Sequence, residues 1–188
     1  MVVAQATRTP APAPGQATNP PAAAATTVQP AATPPAAAGP QQTGPSGLPI
    51  PRFVSIKSAP VNIRRGPTRE HEIIWTYQKV GIPVEIIQEF ENWRRIRDAD
   101  GEEGWVLQTL LSGRRTALIT PLEKQKSKVT AVRQAAGGTS PIVAYLEPNV
   151  LANVSACKTG WCRISGDGFA GWVETKYLWG ARPDESFD

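Results

Sequence analysis

Two stretches of this 188-residue chain carry nearly the same pattern. The first reads Asn92-Trp93-Arg94-Arg95-Ile96-Arg97, then Asp100-Gly101-Glu102-Glu103-Gly104-Trp105-Val106. The second reads Gly160-Trp161-Cys162-Arg163-Ile164, then Asp167-Gly168-Phe169-Ala170-Gly171-Trp172-Val173. Sixty-eight positions separate Ile74 from Ile142, Tyr77 from Tyr145, Trp93 from Trp161 and Ile96 from Ile164. One deletion in the intervening turn makes the spacing 67, which relates Gly104 to Gly171, Trp105 to Trp172 and Leu111 to Leu178. An internal repeat at such a period means two copies of one folding unit.

The repeats occupy only the later part of the chain. Residues 1–51 contain no aromatic residue, a single charge at Arg8 and twelve of the nineteen prolines. Too little apolar surface is on offer there to offset the cost of ordering a backbone, so 1–51 is expected to be a disordered, semi-stiff tether. The expected organisation is then a first module over 52–118, a linker over 119–130, a second module over 131–180 and a tail over 181–188. Val3-Ala4-Gln5-Ala6 before Thr7 resembles the small-residue end of an export cleavage site, although the charged start and apolar stretch are missing. The expectation is an exported protein whose true signal lies upstream of Met1 or is replaced by it. An ordinary alanine-rich tail reads the same way. No apolar run approaches a membrane span.

The net charge of +4 is unevenly spread. Residues 52–119 hold eleven Lys and Arg against nine Asp and Glu, so acids nearly cancel bases in the first module. A nucleic-acid binder concentrates positive charge along a face, and nothing of that kind is visible.

Within the modules, short β-rich runs alternate with turn signals. Arg52-Phe53-Val54-Ser55-Ile56-Lys57 alternates at strand period, and Val61-Asn62-Ile63-Arg64 ends in Arg65-Gly66-Pro67-Thr68. Ile73-Ile74-Trp75-Thr76-Tyr77 and Pro83-Val84-Glu85-Ile86-Ile87-Gln88 follow. Strands this short and this dense indicate a small all-β barrel or sandwich. The one stretch suited to a short helix is 122–128, which serves equally as a solvated linker.

Cys157 and Cys162, in Cys-Lys-Thr-Gly-Trp-Cys, flank a four-residue loop suited to a hairpin. Residues opposite each other in a non-hydrogen-bonded pair come close enough for a disulfide. Free buried thiols, and metal or redox chemistry, are the other readings. Zinc would need two more ligands, and the chain has a single histidine, His71, in the other repeat. A disulfide implies an oxidising compartment.

These residues carry a family resemblance. Val61-Asn62-Ile63-Arg64-Arg65-Gly66-Pro67 is similar to the Asn-Val-Arg-Ser-Gly-Pro opening of bacterial SH3 domains, and Trp93-Arg94-Arg95-Ile96 with Gly104-Trp105-Val106 resembles their closing hairpin. The second copy matches through Trp161 to Trp172 and Tyr177-Leu178, but Val132-Arg133-Gln134-Ala135-Ala136-Gly137-Gly138 lacks the Gly-Pro turn. The resemblance implies an all-β chain of two SH3-like, partly open barrels in tandem after the alanine- and proline-rich segment. It also implies a setting in exported or envelope proteins, where such domains bind cell-wall material or other proteins.

Catalysis finds little support in the residues. His71 sits in the charged turn Arg69-Glu70-His71-Glu72, and the carboxylate pairs Asp98/Asp100 and Glu102/Glu103 lie on an apparent hairpin turn where solvation explains them. No phosphate-cradling loop or metal cluster appears, and no cofactor is expected. The aromatics are the better candidates. If Ile96 and Val106 are core, then Trp93, Arg95 and Trp105 lie outside it, and Trp161 and Trp172 follow by repetition. Trp75 and Tyr77 share a strand face and extend the same patch. Aromatic surface beside arginine suits protein hot spots and sugar stacking. The same rings serve equally well to plug a barrel end, cover a seam, or pack one module on the other.

The expected function is therefore a non-catalytic tandem binding protein of the envelope, recognising peptidoglycan peptide or an envelope protein, with the ligand on the first copy. Two alternatives stand beside it. One is a nucleic-acid-binding barrel using Trp93, Arg94, Arg95 and Arg97. The other is an accessory subunit of a wall hydrolase.

Overall fold

The computed structural model describes residues 42–120, 129–183 and 185. Residues 1–41 of the expected tether with the cleavage-like residues 3–6, the short helix expected over 122–128 and half of the tail (184 and 186–188) lie outside them. The described chain is all-β. A two-stranded hairpin, β1 (Gln42–Thr43) and β2 (Pro49–Ile50), precedes the first barrel. That barrel comprises β3 (Arg52–Ile56), β4 (Val61–Arg64), β5 (Ile73–Tyr77), β6 (Pro83–Phe90), β7 (Trp93–Arg97), β8 (Glu103–Leu107), a 3-10 turn and β9 (Leu111–Ser112). The second comprises β10 (Thr116–Ile119), β11 (Thr130–Arg133), β12 (Ile142–Leu146), β13 (Leu151–Lys158), β14 (Trp161–Gly166), β15 (Phe169–Glu174), a 3-10 turn and β16 (Leu178–Trp179). The strand orders are β5-β4-β8-β7-β6-β3-β9 and β12-β11-β15-β14-β13-β10-β16, the same topology twice.

Two boundaries differ from the sequence-based expectation. Residues 116–118, expected to end the first module, pair instead with β13 and β16 and open the second barrel, where β10 is the counterpart of β3. The longer connection from β10 to β11 breaks the repeat period there and hid the equivalence. Residues 42–50, expected in the tether, fold back on the first barrel because Glu89 gives them a partner. Its Oε2 accepts the Ser46 backbone N–H and its Oε1 the Ser46 hydroxyl, both at 2.8 Å.

Each barrel closes over its own apolar core. Ile56, Val61, Ile63, Val84, Ile86, Ile96 and Val106 fill the first; Ile119, Val132, Val154, Cys162, Ile164 and Val173 are among those filling the second. Strand alternation places them: Ile96 points inward from β7 while Arg95 and Arg97 point out. Both long strands carry a β-bulge at matching positions, between Ile86 and Gln88 and between Val154 and Ala156. The recurring Gly-Trp-Val has a steric cause. A Cβ at Gly104 would run into the Ile63 side chain, and one at Gly171 into the Arg133 carbonyl, where β8 and β15 cross β4 and β11.

The barrels meet through residues outside the repeated motif. The Phe53 ring meets Trp179 edge-on at 5.2 Å between centroids. The guanidinium carbons of Arg115 and Arg182 lie 5.8 and 5.6 Å from the Phe53 centroid. Thr116 Oγ1 donates to the Gly81 carbonyl at 2.6 Å, and Arg182 bonds both the Pro51 carbonyl at 2.8 Å and Glu85 at 2.9 Å. Contact between the modules therefore runs through Phe53 and Trp179, not through Trp93 or Trp105.

Candidate functional site

On the outer face of each closing hairpin the same row of side chains crosses the sheet. Trp105 pairs with Arg64 of β4 on one side and Arg95 of β7 on the other. Trp172 pairs likewise with Arg133 and Arg163. Cross-strand partners point to the same face, so each barrel presents a tryptophan between two arginines. Ile73 and Ile142 extend the rows beyond Arg64 and Arg133 and are both exposed.

The two inner arginines have a matching job. Arg64 Nη1 donates to the His71 carbonyl and Arg133 Nη1 to the Ser140 carbonyl, each at 2.6 Å, and so fix the loop between the second and third barrel strands. His71 itself shares a 2.7 Å hydrogen bond with the Thr68 hydroxyl in that loop. The outer arginines differ. Arg95 pairs with Glu103 at 2.8 Å, whereas Ala170 stands at the Glu103 position of the second barrel and Arg163 is exposed. Lys158 Nζ lies 4.9 Å from the Trp172 ring centroid, a cation–π contact.

The other sequence candidates fall elsewhere. Trp93 is outside the central cluster, yet only 8% exposed, which leaves little ring for a ligand. Trp161 is half-buried and lines a cleft of about 230 Å³ with Arg133, Tyr145, Glu174 and Tyr177. Trp75 and Tyr77 do not extend the Trp105 patch. Their cross-strand partners are the core residues Ile63 and Val61, and both rings pack on the core. The cause is a register shift between Ile63 and Arg64, which leaves Ile74 unpaired and lets Ile74 and Trp75 both reach inward.

Tyr77 lines a second cleft, of about 280 Å³, with Lys79, Ile82, Asp98 and Asp100 of the first barrel and Leu118, Asn149 and Leu151 of the second. Its hydroxyl donates to Asp98 Oδ2 at 3.1 Å. Burial first, and then the Asp98 charge, push the phenol well above its ordinary value of 10. Asp98 Oδ1 accepts the Asp100 and Glu102 amides at 3.0 Å. This carboxylate is thus a fastening for the turn, where the sequence had suggested plain solvation.

Sequence reasoning missed a buried ion pair. Glu89 and Arg94 are opposite each other on β6 and β7, with Arg94 Nε 3.3 Å from Glu89 Oε1 and Arg52 Nη2 2.7 Å from the same oxygen. Burial works to raise the Glu89 pKa, but the Ser46 amide, Arg52 and the Ser46 hydroxyl outweigh it and hold the carboxyl at about 2. Two charges among strand residues look solvated in a sequence; the signal available was the repeat itself. Sixty-eight positions on from Glu89 and Arg94 stand Cys157 and Cys162, joined as a disulfide with Cα atoms 4.0 Å apart. The two cysteines therefore form the expected hairpin disulfide. The loop they span is tighter than four free residues, since Lys158 and Trp161 pair and only Thr159-Gly160 turn.

Among the described residues no group of three or more His, Cys, Asp or Glu side chains is placed to hold a metal ion, and no helix is long and apolar enough to cross a membrane. A family model described as the bacterial SH3 domain matches residues 57–113 and 126–180, more than half of the chain. Over 124 residues the chain is 27% identical to the putative N-acetylmuramoyl-L-alanine amidase YrvJ of Bacillus subtilis (strain 168), a match covering 63% of this chain and 24% of that one. The chain thus spans about a quarter of the length of this curated relative. Solved structures similar to it include NlpC2 from Trichomonas vaginalis, 12% identical with a TM-score of 0.29 over 69% of this chain and 48% of that one. Another is an NlpC/P60 family protein from Bacillus cereus ATCC 10987, 8% identical with a TM-score of 0.30 over 70% and 57%. Two matched copies, each with its own core and the same strand order, show that the chain belongs to the bacterial SH3 domain family.

Proposed function

We propose that this chain is a non-catalytic binding protein of the bacterial cell envelope that recognises cell-wall peptide or a wall-associated protein. The observation that carries this reading is the arginine–tryptophan–arginine row repeated on the outer faces of both barrels. A planar, half-buried ring beside guanidinium donors offers stacking and charge-assisted hydrogen bonds, which suits a sugar–peptide polymer bearing carboxylates. Family membership and a relative named as a putative amidase of a muramoyl–alanine bond support the wall as the setting. The Cys157–Cys162 disulfide supports an oxidising compartment and hence export.

A second reading, an accessory module to a separately encoded wall hydrolase, is favoured by the amidase name of the relative. The nucleic-acid reading loses support because Glu103 and Glu85 pair with Arg95 and Arg97 in the first barrel. The test is co-sedimentation with purified peptidoglycan sacculi. Wild type is expected in the pellet, and Trp105→Ala/Trp172→Ala in the supernatant; equal recovery of both would refute the role of the rows. Hydrolase activity co-purifying with the chain from its native host would favour the accessory reading.

A further inference from the structure

The repeat allows the two outer faces to be compared position by position, and they differ at one carboxylate. In the first barrel, Glu103 is the cross-strand partner of Arg97 and reaches diagonally to Arg95 at 2.8 Å, beside Trp105. In the second, the same rung is Ser165 with Ala170, so no acid occupies the position beside Arg163 that Glu103 occupies beside Arg95. Arg163 is exposed and its guanidinium makes no hydrogen bond or ion pair among the described residues. Trp172 is its cross-strand partner, with Lys158 over the ring and Arg133 on the far side. Glu174, at the opposite diagonal from Arg163, pairs with Lys176.

We propose that the Trp172 face of the second barrel binds a carboxylate, and that the first barrel fills the matching position with a carboxylate of its own, Glu103. An incoming carboxylate would take the place beside Arg163 that Glu103 takes beside Arg95, with Lys158 and the Trp172 ring holding the apolar or sugar part that carries it. In the first barrel the site is already satisfied. The inference deepens the envelope-binding reading and rests on it for the ligand class, a wall peptide with a free carboxylate. It also reverses the expectation that the first copy holds the ligand: an intact opening loop favoured the first, while open charge favours the second.

The test is titration calorimetry of the full chain with N-acetyl-L-alanyl-D-isoglutaminyl-L-lysyl-D-alanine, whose one carboxylate is its C-terminus, and with the C-terminal amide of the same peptide. The acid is expected to bind with one site per chain, and the amide about tenfold more weakly. Arg163→Gln and Ala170→Glu should each weaken the acid about tenfold, the second by supplying an internal competitor. Glu103→Ala should raise the number of sites from one to two. Both altered second-barrel positions are exposed, so folding is not at stake. Equal binding of acid and amide, or acid binding unchanged in both second-barrel variants, overturns the proposal. A single site in Glu103→Ala overturns the stand-in role of Glu103. Sacculus retention that survives Arg163→Gln and Ala170→Glu together would sink this site and leave the wall reading standing. Peptide binding that depends on Arg163 without sacculus retention would do the reverse.

Discussion

Glu89 and Arg94 occupy the rung of β6 and β7 that corresponds, 68 positions on, to the Cys157–Cys162 disulfide of β13 and β14. The fold thus closes the same barrel end twice by different chemistry. The first copy uses a buried ion pair that also holds Ser46 and Arg52. The second uses a covalent bond that needs no charge in the interior. Both rungs sit one step from a two-residue turn with a positive φ at its first position, Glu91 at 46° and Thr159 at 49°.

Glu89→Ala leaves Arg94 buried without its carboxylate and frees the 42–50 hairpin. We expect a loss of about 3 kcal/mol in urea unfolding. The wild type should show a pH signature of the same origin. The carboxyl is held at about 2 when folded against 4.5 when unfolded, so its stabilisation is complete above 4.5 and is lost as pH falls towards 2. The span is worth about 3 kcal/mol, and Glu89→Gln should remove that part of the acid dependence.

Cys157→Ala/Cys162→Ala keeps the second barrel folded but weakens it. Closing so short a loop contributes about 2 kcal/mol through the unfolded chain, so that is the expected loss by denaturation. Reductant should have the same effect on the wild type and none on the variant.

Phe53→Ala removes the ring that Trp179, Arg115 and Arg182 surround. The expected outcome in scanning calorimetry is two separate transitions in place of one, with a loss of about 3 kcal/mol in the coupled unit. A single transition lowered in temperature would mean that the barrels are coupled by other contacts.

Tyr77 is held protonated by burial and by Asp98. Its folded value lies above the unfolded 10, so its contribution is full below pH 10 and declines as pH rises further. Absorbance at the phenolate band should show one tyrosine ionising late, and Asp98→Asn should bring it earlier.

The sequence made the architecture legible because the repeat and the Gly-Trp-Val motif record strand pairing and steric crossing directly. Ile96 and Val106 told which face was core, and placed Arg95, Trp105 and Trp172 correctly on the other. What stayed hidden depends on contacts the period does not carry. A register shift turned Trp75 inward, a longer connection detached β10 from its barrel, and Phe53 found Trp179 across more than 120 residues. The Glu89–Arg94 pair was hidden because its burial is a tertiary fact.

The most direct test is ¹H–¹⁵N spectroscopy of the six tryptophan indoles during titration with soluble peptide-bearing wall fragments. The Trp172 indole resonance is expected to shift, while the Trp93 and core-packed Trp75 indoles stay in place. Shifts confined to the amides of Leu118, Asn149 and Leu151, with Trp172 unmoved, would place the ligand in the Tyr77 cleft and contradict that expectation.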